Sequence, residues 1–110
     1  MSMNYLYLRT FLRNADSPAI SEELYNETNA SILKLEVQCE SAIQLSIQAR
    51  IDEQSNWTNL NVQKVNATNF TQSITSSGIY LINIAGLPHV RVSLNTVADA
   101  DKVTVVGSLA

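Results

Sequence analysis

IQLSIQARID, residues 43 to 52, sets apolar Ile43, Leu45, Ile47, Ala49 and Ile51 against polar Gln44, Ser46, Gln48, Arg50 and Asp52. Successive side chains of a strand point to opposite faces, so this two-residue period describes a β-strand with one face in a core and one in water. Just upstream, LKLEVQCE (residues 33 to 40) repeats the pattern. Leu33, Leu35, Val37 and Cys39 point inward, while Lys34, Glu36, Gln38 and Glu40 point outward. Two such strands separated only by Ser41 and Ala42 place the chain among all-β proteins.

Downstream, Asp52 to Asn56 form a polar loop, and Trp57, Leu60 and Val62 resume an apolar face, which reads as a hairpin. Residues 66 to 72 are polar around Phe70. Ile74 then leads through a turn at Gly78 into Tyr80, Ile82 and Ile84. Ala85 to Pro88 separate this strand from Val90, Val92 and Leu94, and a polar turn from Asp99 to Lys102 precedes Val103 and Val105. Upstream, residues 5 to 12 carry strong β formers on both parities, with Tyr5, Tyr7 and Phe11 on one and Leu6, Leu8 and Leu12 on the other, as in a strand covered on both sides. Asn14, Asp16, Ser17 and Pro18 break that strand. Residues 18 to 28 fit either a short helix capped by Ser17 and Pro18 or a short strand over Glu22 to Tyr25. The count is seven to eight strands without long helical crossovers. The expected fold is therefore an antiparallel β-sandwich, jelly-roll or immunoglobulin-like, formed by residues 1 to 110 as a single domain.

The 110 residues are 45% hydrophobic and only 15% charged, too apolar for a disordered tail. The net charge is −3 and the seven Lys and Arg residues are scattered, which argues against nucleic acid as a partner. The apolar N-terminal stretch is interrupted by Arg9 and Arg13 and is followed by no small-residue cleavage site, so neither a signal peptide nor a membrane partner is expected. A single cysteine, Cys39, allows no intrachain disulfide and reads as a buried, inert thiol. Five Asn-x-Ser/Thr triplets begin at Asn26, Asn29, Asn56, Asn66 and Asn69; an Asn- and Thr-rich chain generates these without any glycan role.

Chemistry-bearing residues are sparse. His89, the one histidine, follows Pro88 with no nucleophile or carboxylate pattern nearby and reads as structural. Asp52, Glu53 and Asn56 lack the regular spacing of a calcium loop and read as a solvated turn, as do Asp99 and Asp101. Glu22, Glu23, Glu36 and Glu40 have nothing to set a glycosidase-like separation. No catalytic, cofactor or metal site is expected. Aromatic residues supply the interface candidates, Tyr5 and Tyr7 above all.

Over residues 43 to 110, the segments ARIDEQSNWTNL, SITSSGIYLINIAGLPHVRVSL and KVTVVGSLA resemble β-sandwich modules encoded among the structural genes of tailed bacteriophages. The shared elements are Asn56 and Trp57, Ser77 to Tyr80, Ala85 to Leu87, Val90 to Val92, and Val103 to Val105. Glu53 to Ser55 depart from the pattern by replacing a glycine-containing turn, and no glycine precedes the last strand near Val97 to Asp101. The resemblance implies that Trp57 seals one end of the core and that Arg91 projects from the opposite face as a contact residue. It further implies a non-enzymatic virion component, a capsid auxiliary or decoration protein ahead of a neck, tail or fibre protein. Such a protein would form homo-oligomers or dock on capsid or tail subunits. From another class, a carbohydrate-binding module is the alternative, and an exposed aromatic platform is the feature that would favour it.

Overall fold

A computed structural model describes residues 8–98 and 101–109. Eleven strands and no helix occur among them: β1 (Leu8–Ala15), β2 (Ala19–Ile20), β3 (Leu24–Tyr25), β4 (Ile32–Gln38), β5 (Gln44–Arg50), β6 (Thr58–Asn59), β7 (Val62–Lys64), β8 (Phe70–Thr71), β9 (Gly78–Asn83), β10 (His89–Thr96) and β11 (Val103–Leu109). From the chain ends inward, the strands pair like one long folded-over hairpin: β1 with β11, β2 and β3 with β10, β4 with β9, and β5 with β6. Rolling that hairpin up brings β11 against β4 and β10 against β5. The result is two antiparallel sheets, β1-β11-β4-β9-β7-β8 and β2-β10-β5-β6, with β3 also on β10. This nesting is a jelly roll, which sets aside the immunoglobulin-like alternative. The count exceeds the expected seven to eight because five of the eleven are two- or three-residue pieces (β2, β3, β6, β7 and β8).

The inward residues read from the alternation make the core. Leu33, Leu35 and Val37 face Leu45 and Ile47 across the sandwich, joined by Ile82, Val90, Val92, Val103 and Val105, all buried. Each large aliphatic side chain so buried contributes roughly 1.5–3 kcal/mol relative to exposure. Cys39, just past β4, is half-buried against this core, and its backbone N–H donates to Ser77 Oγ at 2.9 Å. Ile51 departs from its expected inward place: β5 ends at Arg50, the chain turns, and Ile51 is 61% exposed.

At β1 the inward placement of the neighbours Phe11 and Leu12, which are of opposite parity, has a local explanation. A register shift between Thr10 and Leu12 against β11 marks a bulge, and it lets the adjacent Phe11 and Leu12 both face inward. Phe11 lies over Gly107, where an added Cβ would come 2.6 Å from the ring. The strand ends later than expected, running through Asn14, whose φ of 51° is one that Asn tolerates, and its N–H donates to Thr104 Oγ1. Tyr5 and Tyr7 lie outside the described residues. The segment 18 to 28 takes the strand option, as two short pieces along β10. Within it Asn26 is buried and braces its own loop, its side chain bonding the backbone N–H and carbonyl of Ala30. The turn before β10 follows the reading, with Gly86 at φ 76° and Leu87 N–H donating to the Ile84 carbonyl.

Asp101 is not the solvated turn residue expected. It is 3% exposed, and its carboxylate accepts backbone N–H bonds from Glu40 (3.0 Å), Ser41 (3.1 Å) and Lys102 (2.8 Å). These bonds, that from Glu40 foremost, hold its pKa below the ordinary carboxylate value. The clasp fixes the turn that carries the chain from β4 in one sheet to β5 in the other.

Candidate functional site

Because Ile47, Ala49, Val90 and Val92 point into the core, Gln48 and Arg50 of β5 and His89 and Arg91 of β10 must point outward. Antiparallel register then sets His89 opposite Arg50 and Arg91 opposite Gln48. Flanking strands extend these rows, with Tyr25 beside His89 and Asn59 beside Gln48. Trp57 immediately precedes β6 and lies half-buried on the same face, with the guanidinium carbons of Arg50 and Arg91 at 4.3 and 4.2 Å from its ring centroid. A cation this close to an indole is attracted by the ring quadrupole, by about 0.5–1 kcal/mol or more as water is excluded.

Hydrogen bonds tie the cluster together. Arg91 Nε donates to Gln48 Oε1 at 2.8 Å, and Gln48 Nε2 donates to Asn59 Oδ1 at 3.0 Å. Arg50 Nη1 donates to the Glu53 carbonyl at 3.0 Å and Nη2 to Glu23 Oε2 at 3.4 Å, while Arg50 Nε is buried without a hydrogen-bond partner. The other oxygen of Glu23 takes His89 Nδ1. Tyr25, 57% exposed, leans on His89 with ring centroids 5.4 Å apart. Further along the face, Ser93 Oγ donates to Asn95 Oδ1 and Asn95 Nδ2 to Ser46 Oγ, leaving both serines buried. Desolvation, followed by the charge of Arg50, lowers the Arg91 pKa from its ordinary value, with Glu23 acting in the opposite direction.

Glu23, Tyr25, Asp52, Glu53 and His89 line an open depression of about 590 Å³ beside this cluster. His89 held by Glu23 has the form of a base and its orienting carboxylate, but among the described residues no serine, threonine or cysteine lines the depression to serve as nucleophile. Among the described residues, no three His, Cys, Asp or Glu side chains are gathered closely enough to hold a metal ion.

No family model and no curated protein matches the sequence. Among solved structures, the fold is similar to the crystal structure of the SPBc2 prophage-derived protein YomS. The TM-score is 0.80 at 25% sequence identity, over 93% of this chain and 89% of that one. The likeness points to a phage protein.

Of the residues singled out from sequence, Arg91 projects outward from β10, but on the same face as Trp57 and not opposite it. Trp57 does not seal the core. Leu60 is only half-buried and Val62 belongs to the other sheet, so the three residues read as one apolar face are divided between the residue before β6, the connection after it and β7. The turn at Asp52 to Asn56 is exposed, with Ser55 N–H donating to the Asp52 carbonyl. Glu36 and Glu40 are likewise exposed. Sequence reading missed Glu23 as the partner of His89, because the two meet only through the pairing of β3 with β10. Arg50 carried a usable signal, as the one cation on the wet face of β5, where the other outward residues are amides and a serine.

Proposed function

We propose that the protein is a non-enzymatic structural component of a bacteriophage particle. Its place there is that of a capsid auxiliary or decoration protein, with a neck or tail position next in order. It assembles through sheet faces and edge strands, with copies of itself or with neighbouring capsid or tail subunits. The observation that carries this reading is the likeness to a prophage-derived protein over nearly the whole of both chains. Edge strand β1, with Arg9 and Arg13 on it, offers a backbone ladder to a neighbour, and Tyr5 and Tyr7 precede it in sequence.

Quantitative mass spectrometry of gradient-purified particles, together with labelled electron microscopy, tests the proposal. The expected result is a fixed copy number per particle at one location, lowered when Tyr5 and Tyr7 are replaced by Ser. Protein abundant in the lysate and absent from purified particles would overturn it.

A further inference from the structure

We propose that the outward face formed by Tyr25, His89, Trp57, Arg91, Gln48 and Asn59 is a binding site for a neutral saccharide. This goes beyond the particle role and does not rest on it.

A sugar ring presents a flat patch of C–H groups together with hydroxyls that both donate and accept. The wall that fits it combines an aromatic ring with intermixed donors and acceptors held in place. Tyr25 supplies that ring, more than half exposed at the lip of the depression, while the half-buried indole of Trp57 on the same face has Arg50 and Arg91 stacked on it and holds them in place. Arg91, Gln48 and Asn59 form a hydrogen-bonded chain of planar groups, each with polar valences beyond the bonds it makes to its neighbours. Glu23, Asp52 and Glu53 add acceptors across the depression. Mutual bonding fixes these side chains before any ligand arrives, which reduces the ordering cost of binding.

Charge selects the ligand class. Two guanidiniums stand against three carboxylates around the cluster, so a polyanion meets Glu23, Asp52 and Glu53, and a polycation meets Arg50 and Arg91. An uncharged polyol is repelled by neither. No aliphatic side chain lines the depression, whereas the centre of a protein–protein interface is enriched in apolar surface. Its volume of about 590 Å³ lies within the range of small-ligand sites.

Trp57 is the single tryptophan of the chain, so its emission reports on this face alone. The full chain is titrated with tetraoses of glucose (β-1,4 and α-1,4), xylose, mannose and N-acetylglucosamine, and with tetragalacturonic acid as the charged counterpart. At least one neutral tetraose is expected to change the Trp57 emission saturably, and Tyr25→Ala and Gln48→Ala are each expected to weaken it by about tenfold, the size of one good contact. Lys34→Gln, on the other sheet, is expected to bind as the parent does. Thermal melts establish that each variant is folded, and Gln48→Glu serves where Gln48→Ala is not. The proposal is overturned if no neutral tetraose gives a saturable change up to about 10 mM, tenfold weaker than a millimolar site. It is equally overturned if only the acidic tetraose binds, or if folded Tyr25 and Gln48 variants bind like the parent.

Discussion

The two outward faces of the sandwich are built by the same alternation yet have opposite characters. On the six-stranded sheet, the cross-strand row Thr10, Val106, Glu36 and Ile79 and its neighbour Leu8, Ser108, Lys34 and Leu81 interleave apolar and charged side chains. Leu8 and Ile79 are each 48% exposed there. On the other sheet, the row through Arg91, Gln48 and Asn59 juxtaposes groups that bond one another, and the row through His89 and Arg50 sets side by side two groups that share Glu23. A wet strand face thus becomes a defined surface only when register brings complementary groups together. Alternation alone leaves Lys34 and Glu36 as ordinary solvated side chains.

Both faces rest on one shared interior, and the most damaging substitution strikes there. Gly107→Val places a side chain against Phe11, Leu33 and Leu35, and urea unfolding is expected to show a loss of about 3 kcal/mol, the upper range for overpacking. A neutral result would mean that Phe11 can leave β11 freely and that the bulge in β1 is not fixed by packing.

Next is Asp101→Ala, which leaves the N–H groups of Glu40, Ser41 and Lys102 without their acceptor and loosens the turn joining the two sheets. The folded-state pKa of Asp101 lies below its ordinary value of 3.8. Its carboxylate therefore stabilises the fold above that value, and this contribution is lost as pH falls through the lowered folded value. Melting temperature followed against pH is expected to fall less steeply on the acid side for Asp101→Asn than for the parent. Equal slopes would show that other carboxylates set the acid limit.

Trp57→Ala separates the ordered face from the core. Loss of a half-buried indole and its two guanidinium contacts is expected to cost about 1–2 kcal/mol with the fold retained. A loss of about 3–5 kcal/mol, typical of an interior aromatic, would return Trp57 to the core-sealing role implied by its sequence context. On the opposite face, Ile79→Ser is expected to stay within about 0.5 kcal/mol in the same unfolding experiment, since its side chain is half in water already. A larger loss would mean that the interleaved face is packed more tightly than its exposure indicates.

Local alternation was enough to define the inward set. Leu33, Leu35, Val37, Leu45, Ile47, Val90, Val92, Val103 and Val105 follow from a period of two, and the period is local: each side chain's face is fixed by its neighbours one residue away. The break from Ala85 to Pro88, with its Gly and Pro, likewise located the turn at Gly86 from local backbone preference. Which strands are neighbours emerged only from the folded chain, and with them the jelly-roll order, the pairing of Glu23 with His89, the stacking of Arg50 and Arg91 on Trp57, and the burial of Asp101 under the turn at Glu40. The physical reason is that hydrophobic burial is non-directional and marks a residue as inward without naming its partner. Hydrogen bonds, ion pairs and ring stacking are short-ranged and directional, so they exist only once the register of distant strands has been set.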